Sequence, residues 1–140
     1  MKKILFLTMA ISLIIFSCNQ QTEVKETAVA EPQTAETMVY YFHYDHRCAT
    51  CNAVEDVTKN SLNELYAGLV KDGKIAFQSV NLDEKEGEAI GEKLEVAGQE
   101  LLIIKGDKKT DLTELAFMHA RSNPEKLKVA IKEVIDGLVE

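Results

Sequence analysis

A chain of 140 residues, 46% hydrophobic and 28% charged, carries enough apolar side chains for one domain with a core and too few for two. Sixteen basic and 23 acidic residues leave a formal charge of −7. No basic stripe is available to neutralise phosphates, which excludes nucleic acid as an expected partner.

Met1, Lys2 and Lys3 supply a positive start, and Ile4 to Phe16 is an apolar run too short to cross a bilayer as a helix. This pattern predicts a signal peptide over residues 1–17, not a transmembrane segment. The run closes as Ile15-Phe16-Ser17-Cys18, which resembles the bacterial lipobox. That resemblance implies cleavage before Cys18, two or three acyl chains on it, and a stable membrane anchor. The alternative is an ordinary secretory signal with an incidental cysteine. If Cys18 carries lipid, Cys48 and Cys51 remain as one pair and the odd cysteine count leaves no spare thiol.

From Asn19 to Thr37 the chain is rich in Gln, Thr, Glu and Ala and poor in large apolar residues, so burial cannot offset the entropy of ordering it. Residues 18–37 therefore read as a lipidated cysteine and a tether. As a flexible coil of about 19 residues it spans roughly 25 Å. The domain is expected over residues 38–140.

Val39-Tyr40-Tyr41-Phe42 is a β-branched and aromatic run of the kind buried in a sheet. After Tyr44-Asp45-His46-Arg47 the period changes. Val54, Val57, Ser61, Leu62, Leu65, Tyr66, Leu69 and Val70 recur at three and four, which predicts an amphipathic helix from about Cys48 to Lys71, stopped by Asp72-Gly73. Ile75 to Leu82 reads as a second strand, and two strands joined by a long helix imply a right-handed parallel crossover.

Asp83 to Val96 predicts a shorter helix with Ala89, Ile90, Leu94 and Ala97 near one face, weakened by Gly87 and Gly91 and ended at Gly98. Leu101 to Lys105 is a third strand, and Gly106-Asp107-Lys108-Lys109 has the composition of a hairpin turn. Thr110 to Thr113 is expected as a short strand running into a helical turn, with Asp111 and Glu114 spaced as a capping box. Asn123 and Pro124 open a final helix whose core stripe is Leu127, Ala130, Ile131, Val134, Ile135 and Leu138. The resulting order is β-α-β-α-β-β-α, an α/β class with helices on both faces of a small mixed sheet.

That order, with Cys48-Ala49-Thr50-Cys51 between a buried strand and a long helix, resembles the thioredoxin fold. A bare CxxC also occurs in zinc sites; its placement here is what points to dithiol chemistry. More narrowly, Tyr40-Tyr41-Phe42-His43 followed by Arg47-Cys48-Ala49-Thr50-Cys51 resembles a small group of thioredoxin-like bacterial lipoproteins. That group is labelled a nitrophenyl-compound nitroreductase subunit and sometimes occurs beside arsenic-resistance genes. The label is not carried over as an activity, because nothing in these residues resembles a flavin-binding nitroreductase.

Two departures from ordinary thioredoxins stand out. Arg47 occupies the place of the usual tryptophan, in a chain with no tryptophan at all. Gly98-Gln99-Glu100-Leu101 lies where the family places a cis-proline, and the only prolines are Pro32 and Pro124. In the family that proline shapes the substrate groove and discourages metal capture.

A thiolate is the attacking species, so the charge around Cys48 decides its reactivity. A helix amino terminus, adjacent Arg47, and His46 when protonated all favour an anion there. Cys48 is therefore the expected nucleophile, Cys51 the resolving thiol, and Arg47 and His46 the thiolate stabilisers. Lowering a thiol from about 8.5 to about 7 raises its thiolate fraction roughly sixteenfold and costs about fivefold in nucleophilicity. The larger consequence is on redox poise.

These features predict a lipid-anchored thiol-disulfide oxidoreductase facing the periplasm, without cofactor, monomeric, acting on a protein thiol or disulfide partner in the envelope. Inner and outer membrane stay open. A second reading is a metal- or metalloid-binding module, with Cys48, Cys51 and His46 as ligands for Cu(I) or trivalent arsenic. His43 and His119 extend the candidate ligands, against the plainer readings of a polar strand end and a solvated helix residue. A third is a non-catalytic adaptor. A permanent disulfide clamp is the plain alternative, although so short a loop restricts few unfolded conformations.

Overall fold

The computed structural model describes residues 35–139; the expected signal peptide, Cys18 and nearly all of the tether lie outside the described residues. Eight elements follow in order. They are β1 (Thr37–His43), α1 (Ala49–Lys71), β2 (Ile75–Asn81), α2 (Lys85–Lys93), β3 (Leu101–Lys105), β4 (Lys108–Asp111), α3 (Thr113–His119) and α4 (Pro124–Val139).

The strands form one sheet in the order β2-β1-β3-β4. β1 runs parallel to β2, with Thr37 opposite Ile75 and His43 opposite Asn81, as a strand-helix-strand crossover requires. β3 lies antiparallel on the other side of β1, pairing Tyr41 with Leu101 and Met38 with Ile104, and β4 returns antiparallel beside β3.

The central position of β1 explains its apolar run. Alternate side chains leave a strand on opposite faces, so a central strand in a two-faced sheet must be apolar at both parities. Val39 and Tyr41 pack with Val54, Leu62, Ala116, Leu127, Ile131 and Ile135 of α1, α3 and α4. Phe42 joins Val80 and Leu102 on the other face, covered by Leu82, Ile90, Leu94 and Val96. Each such fully buried large side chain contributes about 1.5–3 kcal/mol. The mixed sheet with helices on both faces is as expected.

Several local expectations shift. The helix expected over 83–96 is confined to Lys85–Lys93, and Glu95 closes it at φ 55° before Gly98 is reached. Ala89 and Ala97 are exposed, and the buried residues of α2 are the two glycines. Gly87 and Gly91 bring this helix onto the end of β2. A Cβ on Gly87 would land on the Asn81 carbonyl, and one on Gly91 would come within 2.9 Å of Leu82.

The hairpin turn is the two-residue Gly106-Asp107, with Gly106 at φ 56°, so Lys108 and Lys109 belong to β4 and that strand starts two residues before Thr110. The expected helical turn is a seven-residue helix, α3. The capping box does not form. Asp111 Oδ1 accepts the Thr113 N–H at 2.8 Å, but the cap position falls on Leu112, which has no side-chain cap bond. All six expected stripe residues of α4 are buried or half-buried. Its partner α1 is clasped to it where Tyr66, at a kink, donates from its hydroxyl to Asp136 Oδ1 at 2.6 Å.

Candidate active site

The chain leaves β1 at His43 and must turn before α1 begins. Three hydrogen bonds hold that turn to the end of β2: Leu82 N donates to His43 O at 2.7 Å, Asp45 N to Asp83 Oδ2 at 2.7 Å, and Asn81 Nδ2 to Asp45 Oδ1 at 2.7 Å. Asn81 and Asp83, which carried no signal in the sequence, therefore fix the segment that delivers Cys48.

Cys48 is the cap residue of α1, with extended backbone at φ −77° and ψ 166°. Cysteine stands where serine or threonine usually accepts an N–H from the first turn. Cys48 Sγ accepts the Cys51 N–H at 3.1 Å, and Cys51 Sγ accepts the Cys48 N–H at 3.2 Å, a reciprocal box built from two sulfurs. The two residues form a disulfide with Cα atoms 5.0 Å apart. Cys48 is exposed, whereas Cys51 is 2% exposed. No carboxylate sits in the first turn of α1 to oppose a negative sulfur at its positive end.

Gln99 faces the inner sulfur. Its Oε1 lies 3.6 Å from Cys51 Sγ, so the stretch expected to replace the cis-proline does meet the cysteine pair, through an amide side chain. No cis peptide bond occurs among the described residues.

Arg47, expected beside the thiolate, is engaged elsewhere. Its guanidinium pairs with Glu55 and lies 5.6 Å from the centre of the buried Tyr41 ring. Glu55, one turn beyond Cys51, also accepts from Lys59 Nζ at 2.6 Å. Burial alone would raise the Glu55 carboxyl, but hydrogen bonds and charge from Lys59 and Arg47 outweigh it and hold the group below its ordinary range. Burial likewise pushes the Tyr41 phenol up, against the lowering influence of Arg47. Among the described residues, the polar groups in contact with the sulfurs are thus the backbone N–H groups of Cys48 and Cys51 and the Gln99 amide.

The histidines are dispersed. His43 is half-buried at the end of β1, with Nδ1 3.0 Å from Tyr44 O. His46 is exposed in the turn, and His119 ends α3 beside Asp111, Glu114 and Met118 in a separate depression. Among the described residues no three His, Cys, Asp or Glu side chains are grouped so as to hold a metal ion, so Cys48, Cys51 and His46 are not assembled as a ligand set in the disulfide state. Glu55, Asn81 and Gln99 are the site residues that sequence reasoning missed. Glu55 carried a signal as an acidic residue falling on the apolar side of a helix, and Gln99 carried one through its place in the stretch that stands where the family has its cis-proline.

Among solved structures, the chain is similar to thioredoxin O2 from Arabidopsis thaliana in the oxidised state. The TM-score is 0.50 at 20% identity, over 71% of this chain and 75% of that one. It also aligns with a malarial protein at TM-score 0.40 and 16% identity, over 59% of this chain and 92% of that one. No protein-family model and no curated protein matches the chain. The fold is thioredoxin-like, and it carries a CxxC pair at disulfide distance where the first strand enters the first helix.

Proposed function

We propose that this chain is a thiol-disulfide oxidoreductase tethered to the bacterial envelope through Cys18, exchanging two electrons between its Cys48–Cys51 pair and a protein partner. One observation carries the chemistry: an exposed cysteine is bonded to a buried one at a helix amino terminus. A partner can reach Cys48 alone, and the helix end lowers the cost of negative charge when that bond breaks.

In the reducing direction the Cys48 thiolate attacks a partner disulfide, forming a mixed disulfide and expelling one partner thiolate. The Cys51 sulfur, deprotonated, then attacks Cys48 Sγ, re-forming the Cys48–Cys51 bond and expelling the second partner thiolate. Two electrons pass to the partner; the Cys51 proton ends on one partner sulfur, and the other takes its proton from solvent. The oxidising direction is the reverse, begun by a partner thiolate on Cys48. The lipobox-like Ile15-Phe16-Ser17-Cys18 supports the envelope location, where dedicated partners and not a glutathione pool set the redox state.

Insulin-disulfide reduction driven by a small dithiol, and reactivation of scrambled ribonuclease, test this with the full chain. Turnover is expected to vanish in Cys48→Ser, and Cys51→Ser is expected to accumulate the mixed disulfide. Wild-type turnover equal to that of a Cys48→Ser/Cys51→Ser double variant would overturn the proposal. Tight Cu(I) or trivalent arsenic binding in that circumstance would move the pair to the metal-binding reading.

A further inference from the structure

An amide touches the inner sulfur, and the fold fixes it there. Glu100 exchanges backbone hydrogen bonds with Phe42, at 2.8 and 3.3 Å, which prolongs the β1–β3 ladder by one pair. The Glu100 carboxylate turns back to accept the Ala97 N–H at 2.9 Å. Loop 97–100 is thereby closed against the end of β1, the same strand end from which the chain runs on to Cys48. Gln99 lies inside that closure, half-buried, and reaches Cys51 across 48 positions of sequence.

We propose that Gln99 is the acceptor for the resolving thiol: in the reduced protein Cys51 donates its S–H to Gln99 Oε1, and this makes the Cys48–Cys51 disulfide a stronger oxidant. The proposal rests on the redox function above. In the disulfide the Cys51 sulfur has no proton to donate. Reduction by a partner dithiol transfers two electrons to the Cys48–Cys51 bond and oxidises the partner to its own disulfide. Of the two protons released, one stays on Cys51 and the other goes to solvent, leaving Cys48 as thiolate.

Only then does a donor appear 3.6 Å from Gln99 Oε1. An interaction present in the reduced form alone stabilises that form, and a couple with a stabilised reduced form is more oxidising. Cys51 is 2% exposed, so water competes little for its thiol. Holding the proton on Cys51 also assigns the negative charge to Cys48, where the Cys51 N–H and the helix end receive it. A proline at this position has no side-chain acceptor and would forgo the effect.

The test uses the full chain in detergent, equilibrated in glutathione buffers. The oxidised fraction is read by alkylation and mass spectrometry of the peptide that carries both Cys48 and Cys51. Gln99→Met keeps the side chain's length and removes the amide. The equilibrium constant for reduction is expected to fall about fivefold, which moves the potential about 20 mV more negative. In a Cys48→Ser background, the pH at which Cys51 alkylates is expected to fall in Gln99→Met and to rise in Gln99→Glu, whose carboxylate accepts the same S–H more strongly.

A purely structural role would move both variants the same way. A reversible wild-type couple with an unchanged or more oxidising Gln99→Met, or a fall in the Cys51 alkylation pH in Gln99→Glu, overturns the assignment of Gln99 and leaves the redox pair standing. A wild-type pair with no reversible couple removes both.

Discussion

Glu55 lies one turn beyond a cysteine and is 8% exposed, yet its environment favours the charged form. Its folded-state carboxyl binds a proton less readily than it does in the unfolded chain, where the ordinary value is near 4.5. The unfolded state therefore takes up more protons as pH falls, so the stability Glu55 contributes is present above about 4.5 and is lost as pH drops through the lower folded value. Glu55→Gln is expected to cost about 1–3 kcal/mol at pH 7, because the partly buried Arg47 loses its counter-charge. The difference from wild type should shrink below pH 4.5, as urea titrations across pH 3–7 would show.

At the scale of an element, α2 and α1 treat glycine in opposite ways. Gly87 and Gly91 looked like weaknesses in a helix read from its period, because glycine lowers intrinsic helicity. They are the buried residues of α2: the Asn81 carbonyl at the end of β2 occupies the place of a Gly87 Cβ, and the Leu82 side chain crowds that of Gly91. Gly68 in α1 is exposed, with nothing within 4 Å of a Cβ placed there.

Gly87→Ala is therefore expected to destabilise by about 1–3 kcal/mol through a backbone clash, and Gly68→Ala to stabilise by about 0.5–1 kcal/mol. Chemical denaturation of both variants checks the opposite signs. Because Asn81, next to that contact, also holds the turn before Cys48, Gly87→Ala should loosen the site as well. Faster alkylation of reduced Cys51 would register it. Periodicity places the long helices well, since a buried stripe repeats every three or four residues whatever it packs on. It misplaces α2 and β4 because a nine-residue helix faced with glycine and a four-residue strand of Lys-Lys-Thr-Asp have almost no apolar pattern to read.

The whole molecule is proposed to work on a leash. With Cys18 acylated, cell fractionation should find the chain in membranes, and Cys18→Ser should release it to the soluble fraction while leaving insulin reduction unchanged, since the domain's chemistry resides in Cys48 and Cys51. A wild-type chain that fractionates as soluble would break the anchor from the redox function without touching the latter.

The order of elements apart from α3, the apolar parity of β1 and the strand-CxxC-helix junction were all decided by residue type and spacing, because period, turn chemistry and helix termini act over a few residues. That Cys51, one turn inside the helix, is the more buried of the pair was legible too, whereas that Arg47 turns to Glu55 and Tyr41 and that the Gln99 amide meets Cys51 were decided only by the tertiary structure. Those contacts depend on strands from distant parts of the chain closing side by side, and sequence separation carries no record of that closure.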